Sequence, residues 1–175
     1  MSRMQHITLK FGEHQIAIRT AVLQYIAEFC QHDHASREGC GILLGYAWDQ
    51  FFDIVAATPP QITDQRSRCS YQRDTRGHLS IAKDIWRKSG GKIGYLGEWH
   101  THPQRIPSPS HRDLSEALKI SRKNEAPILS LILGTTHGCG FMAFANELSH
   151  VKRFRLQLAL TRPMADLTTF SGKVW

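Results

Sequence analysis

A single-domain α/β fold, three-layered or sandwich-like, is what the sequence predicts, on three observations. Its 175 residues are the length of one domain rather than two. With 41% apolar and 21% charged residues, the composition sits near the globular average and argues against wholesale disorder. Short stretches of strand-like and helix-like apolar patterning then interleave along the chain, with no repeat, low-complexity segment or linker dividing them. The predicted domain covers 1–160 and leaves a tail at 161–175.

Residues 5–11 and 14–19 read as two short strands with a turn at Gly12-Glu13. Thr20 can cap the next helix, whose Val22, Tyr25, Ile26, Phe29 and Cys30 recur at helical spacing until the His32-Asp33-His34 cluster ends it. Residues 40–46 and 51–58 read as strands, the second stopped by Pro59-Pro60. The polar stretch 61–74 reads as a solvated loop with room for a short strand at 69–72. A helix starts at Thr75, presents Leu79, Ala82, Ile85 and Trp86 on one face and ends at Gly90-Gly91. The aromatic-rich stretch 92–102 is a strand broken by Pro103. A loop with Pro107 and Pro109 leads into a helix from Ser110 to about Asn124, with Leu114, Ala117 and Leu118 inward. Strands follow at 128–133, 140–145 and 151–160.

Charge and cysteine content narrow the function classes. The net charge of +7 favours acidic partners, but no Lys/Arg run is dense enough to choose nucleic acid over an acidic protein face. No apolar run approaches the ~18–20 residues of a membrane span, and residues 1–11 carry Arg3, His6 and Lys10 where a signal peptide needs an apolar block. Cys30, Cys40, Cys69 and Cys139 form no CxxC pair, which suits free thiols in a reducing cytoplasm.

The chemistry concentrates in Glu98-Trp99-His100-Thr101-His102-Pro103 and the Pro-Ser-Pro-Ser loop after it. On a strand, His100 and His102 project to one face. Asp113 falls in the first turn of the next helix, where the proline-stiffened loop can fold it back toward the strand end. Two imidazoles and a carboxylate suit Zn²⁺ and leave a fourth position open, the pattern of a catalytic rather than a structural site. A proton acceptor is still needed. Glu38, in Arg37-Glu38-Gly39-Cys40-Gly41, can point into a cleft from a strand start, although a glutamate before a glycine turn is more often a solvated loop residue. Ser110-x-x-Asp113 also reads as a helix capping box. His78, His111, His137 and His150 read as surface histidines, Cys40 and Cys139 as buried packing residues, and Trp86 and Trp99 as core.

Glu38, then His100-x-His102-Pro103, six residues, Ser110 and Asp113 together resemble the JAMM/MPN metalloisopeptidases over roughly residues 15–145. The resemblance implies a cytidine-deaminase-like α/β/α sandwich with a curved mixed sheet. It implies that His100, His102 and Asp113 hold zinc, that Glu38 takes a proton from the attacking water and passes it to the leaving amine, and that Ser110 stabilises the oxyanion. The GEWHTHP segment is similar to that of small bacterial members of CBASS antiphage operons. There the partner is a ubiquitin-like protein or a cGAS-like nucleotidyltransferase whose C-terminal tail is freed from its conjugates, with no nucleic acid or membrane involved. Other members trim a sulfur-carrier protein, keep the fold as a scaffold without the ligands, or work beside DNA repair.

Overall fold

The computed structural model describes residues 5–156. Period-two alternation builds the first hairpin. Strand β1 (His6–Phe11) pairs antiparallel with β2 (His14–Arg19) across Gly12, whose φ of 60° suits a residue without a Cβ. Helix α1 (Thr20–Ala27) follows, then β3 (Cys40–Trp48), β4 (Phe51–Ala57) and a two-residue pair, β5 (Gln65–Arg66) with β6 (Tyr71–Gln72). Helix α2 (Thr75–Lys88) leads to β7 (Gly94–Thr101), and α3 (His111–Asn124) leads to β8 (Ile128–Leu133), β9 (His137–Phe144), β10 (Glu147–Leu148) and β11 (Lys152–Arg155).

Among the described residues, one mixed sheet runs β1-β2-β4-β3-β7-β8-β9-β10, with β11 also on β9. The β2–β4 and β7–β8 pairs are parallel, and α3 makes the crossover between β7 and β8. The sheet curls until Leu9 of β1 comes against Gly140 of β9. Both faces are covered, so β8 is buried throughout and apolar but for Ser130. Its Leu129, Leu131 and Leu133 enter a core with Ile26 of α1 and Trp99, while Ile128 and Ile132 enter a second core with Ala117 of α3 and Phe141. Helix α2 lies toward β3 and β7, with His78 as its one buried side chain. This is the α/β arrangement the sequence pattern predicts, with the curved mixed sheet that the resemblance implies.

Some expectations are corrected. Thr20 is the first helical residue rather than the cap, and Arg19 at the cap gives no side-chain hydrogen bond. Helix α1 stops at Ala27, so Phe29 and Cys30 reach the core from the segment beyond it. The apolar face expected of α2 is turned outward at Leu79 and Trp86, which are 50% and 55% exposed, while His78 goes in at 1%. A polar network inside, described below, claims His78 and decides the helix's rotation. The 61–74 stretch is anchored rather than solvated: Arg66 and Arg68 bond the carbonyls of Glu38 and Asp33, and Arg73 pairs with Glu98. The last strand occupies only Lys152–Arg155, with Val151 and Leu156 outside it, while 157–160 of the expected strand and the 161–175 tail lie outside the described residues. No helix among the described residues is long and apolar enough to cross a membrane.

Candidate active site

Strand β7 carries His100 to the mouth of a cleft and ends one residue later. His102, past the strand end, is kept in line because its N–H donates to Leu133 O of β8 at 2.9 Å. The loop after Pro103 is held by the β8–β9 turn: Thr135 and Thr136 donate their N–H groups to Gln104 O and Arg105 O. That returns the chain to Ser110, the N-cap of α3. The Ser110 hydroxyl accepts from Asp113 N at 3.2 Å, while Ser110 N–H and O–H both donate to Asp113 Oδ2 at 2.7 Å. This complete capping box fixes the rotamer of Asp113, and the helix N-terminus favours its negative charge.

Three side chains meet as a result. His100 Nε2 lies 3.1 Å from His102 Nε2, and the two nitrogens lie 3.4 and 3.5 Å from Asp113 Oδ1 and Oδ2. These three are the one His/Cys/Asp/Glu group among the described residues placed to hold a metal ion. The donor set can be tested against zinc directly. Legs of about 2.0 Å in a tetrahedral site give donor–donor edges of about 3.3 Å. The two imidazole nitrogens stand close to that edge length, and each has a carboxylate oxygen of Asp113 at 3.4–3.5 Å, so the three side chains fit a zinc ion.

Glu38 lines the same cleft, of about 450 Å³, together with the three metal-type ligands and Ser110. Its backbone is clamped from the loop side, with N–H donating to Ser67 O at 2.8 Å and C=O accepting from Arg66. Next to it Gly39 bonds Thr101 through both its N–H and its C=O. A Cβ on Gly39 would lie 2.7 Å from Phe29 Cβ, so the close approach that delivers Glu38 requires glycine.

Burial sets the electrostatics. It pushes the Glu38 carboxyl up to about 7, with Asp113 adding to the rise and His102 and Arg112 opposing it. Burial also holds His100 below its ordinary value. At His102 burial acts the same way, but the hydrogen bond and charge of Asp113 overcome it and the ring is raised. Burial alone would raise Asp113; hydrogen bonds from both rings and Ser110 hold it far below the usual carboxylate range. A carboxyl poised near neutrality thus stands in the same cleft as a carboxylate that stays ionised.

All five residues expected at the site line one cleft. Sequence reasoning missed the wall opposite α3. Tyr71 lies tilted on His100 with ring centroids 5.1 Å apart, and Arg73 pairs with Glu98, which also accepts from Tyr95 Oη at 3.2 Å. The available signal was Glu98 itself, a charge two residues before His100 and therefore on the same strand face.

His32 and His34 are exposed, and Asp33 between them accepts from Ala35 N and from Ser36 N and Oγ in a local turn. His78 is not the surface residue expected. Its Nε2 donates to Asp64 at 3.2 Å, because an ionised carboxylate can only accept, and in the neutral ring Nδ1 then accepts from the Thr58 hydroxyl at 2.6 Å. Asp64 also accepts from Gln61 N, Asp74 N and Cys40 Sγ. Cys30, Cys40 and Cys139 are buried free thiols and Cys69 an exposed one.

Residues 19–155 match the family described as prokaryotic homologs of the JAB domain. Over 111 residues the chain is 41% identical to a Pseudomonas aeruginosa protein named CD-NTase/cGAS isopeptidase, covering 61% of this chain and 70% of that one. An Escherichia coli protein of the same name is 31% identical over 122 residues, or 70% of this chain and 78% of that one. A third, from Vibrio cholerae, is 33% identical over 56% of this chain and 63% of its own length. Among solved structures, a Desulfitobacterium hafniense protein shares the fold with a TM-score of 0.59 at 19% identity, over 77% of this chain and 89% of that one.

Proposed function

The chain belongs to the family of prokaryotic JAB-domain homologues, and from that premise we propose that it is a zinc-dependent isopeptidase of a CBASS-type antiphage system, built on a single domain over 1–160. Its substrate is a CD-NTase (a cGAS-like nucleotidyltransferase) or a ubiquitin-like protein joined through its C-terminal carboxyl to a target amine. The supporting observation is the convergence of His100, His102 and Asp113 on one point with Glu38 in the same cleft. The matched relatives' names support the substrate class.

His100, His102 and Asp113 would hold the metal. Zinc, when bound, supplies Lewis-acid polarisation of the scissile carbonyl and lowers the pKa of a water to about 7. Glu38 takes a proton as the water oxygen bonds to the carbonyl carbon, then returns it to the departing nitrogen as the C–N bond breaks, so that a carboxylic acid and an amine form, and the acid gives up its remaining proton on release. The Ser110 hydroxyl has one proton to give. At rest it holds Asp113; as charge builds on the carbonyl oxygen it turns toward the oxyanion. No side chain forms a covalent intermediate, and the buried thiols, Cys40 pushed up to about 12, stay protonated.

The test is incubation of the purified protein with the CD-NTase conjugates of its host cell, with and without a chelator. Release of free CD-NTase that the chelator abolishes and added zinc restores is the expected result; conjugates that persist under all conditions would overturn the assignment.

A further inference from the structure

Half of the cleft is not used by the metal ligands. Sheet register sets two rows on the face below the cleft, of which His100, Glu98, Ser130 and Phe141 line it. Cys40, His100, Ile132 and Cys139 pair across β3, β7, β8 and β9, and Ile42, Glu98, Ser130 and Phe141 pair in the next row. Rows two residues apart lie about 6–7 Å from each other along the strands, which is two residues of an extended chain. Helix α3 runs beside them with Asp113, Ala117 and Ile120 on successive turns of one face, all lining the cleft. Arg73 stands opposite.

The binding of Arg73 is incomplete. Its Nη2 is held by Glu98, but its Nε is buried without a hydrogen-bond partner among the described residues. A buried donor left unpaired is costly, and an incoming acceptor would relieve the cost. Arg73 lines the cleft together with Ala117, Ile120 and Phe141, and Glu98 offsets its charge, so an unpaired N–H without net charge sits beside apolar side chains here. A charged side chain arriving here would be desolvated without a counter-ion. At the other end the cleft opens past Gln104 and Arg112, both exposed, which suits the varied surroundings of a target amine.

Resting on the peptidase reading above, we propose that Arg73 and Glu98 form a specificity subsite for the substrate tail, at the residue two positions from the scissile carbonyl on the acyl side. Arg73 Nε–H donates to a main-chain carbonyl there, and Ala117, Ile120 and Phe141 receive an uncharged side chain.

The probe is a fluorescent peptide of the CD-NTase C-terminal tail ending in its free carboxylate, titrated onto the zinc-loaded protein. One peptide series replaces each carbonyl in turn by a methylene, and another replaces each side chain by aspartate. One carbonyl at the third residue from the end should cost about tenfold in affinity with the wild type and little with Arg73→Lys, which keeps the charge but loses the Nε–H. Aspartate at the subsite residue should cost at least as much. Uniform insensitivity, an equal carbonyl loss in Arg73→Lys, or no tail binding at all would each overturn the subsite. The peptide series on the wild type decides the matter even if the variant misfolds. Conjugates that resist cleavage while tail binding keeps this pattern would remove the deconjugating function and leave the subsite standing.

Discussion

Two clusters in this protein are built from the same kinds of side chain and do opposite things. Asp64, His78, Thr58 and Cys40 form one; Asp113, His100, His102 and Ser110 form the other. In the first, every polar atom is used: Asp64 gathers two backbone N–H groups, an imidazole and a thiol, and its side chain is 0% exposed. In the second, two imidazole nitrogens face each other at 3.1 Å across an open cleft and aim at one point with a carboxylate. A histidine–aspartate contact is therefore uninformative by itself. Completed hydrogen bonding marks a strut, and convergent lone pairs next to solvent mark a binding site.

Breaking the open cluster should give the largest effect. Asp113→Ala is expected to lose stoichiometric zinc, measured by metal analysis, and to lower cleavage by about four orders of magnitude or more, since the open site's whole chemistry depends on it. Glu38→Gln comes next, with an expected fall of about 10²–10⁴-fold at unchanged zinc content. A base at Glu38, as proposed, must be ionised to accept a proton, so wild-type kcat/KM should rise with pH. Its acid limb should lie below the value of about 7 found without the cation, whose charge favours the carboxylate. Stability carries the opposite sign. A carboxyl raised by burial stabilises the fold while protonated, and that contribution is lost as pH rises through about 7. Metal-free Glu38→Gln should consequently melt higher than metal-free wild type at alkaline pH.

Breaking the closed cluster should hit folding instead. Asp64→Ala leaves His78 Nε2–H and the N–H groups of Gln61 and Asp74 without their acceptor, a loss of about 3–5 kcal/mol by denaturant titration, with zinc still bound by the molecules that fold. The pH response sharpens the contrast. Burial depresses His78, so its contribution is complete above its ordinary value of 6.5 and is lost as pH falls. Stability of the wild type should decline on acidification from that point, and His78→Gln should flatten the decline.

The fold and the open cluster were legible in the sequence because both rest on local periodicity: alternation in the strands, a helical stripe in α3, and a His-x-His pair that a strand must place on one face. The closed cluster was not. Nothing local in Thr58, Asp64 or His78 announces that residues from a strand end, a loop and a helix will saturate one another. Without that knowledge the apolar stripe of α2 assigned Leu79 and Trp86 to the core, where His78 is found. Arg73 was misread for the same reason, as its partner Glu98 lies 25 positions away. Long-range polar pairing is the part of the structure that periodicity does not encode.

Ser110 tests whether the two kinds of cluster are separable at all, because its hydroxyl is both a strut and a member of the open site. As a helix cap it is worth about 1 kcal/mol, and Ser110→Ala should lower stability by that amount in chemical denaturation. A role confined to capping would also loosen Asp113, weakening zinc without touching the chemical step once the metal is saturating. A hydroxyl that also meets the oxyanion predicts a deficit in kcat that saturating zinc does not repair. Ser110→Thr keeps the cap and the donor and should recover both quantities, and Ser110→Asp, a good cap without a hydroxyl proton, should recover the stability alone. A Ser110→Asp variant with full kcat would reduce Ser110 to its structural part.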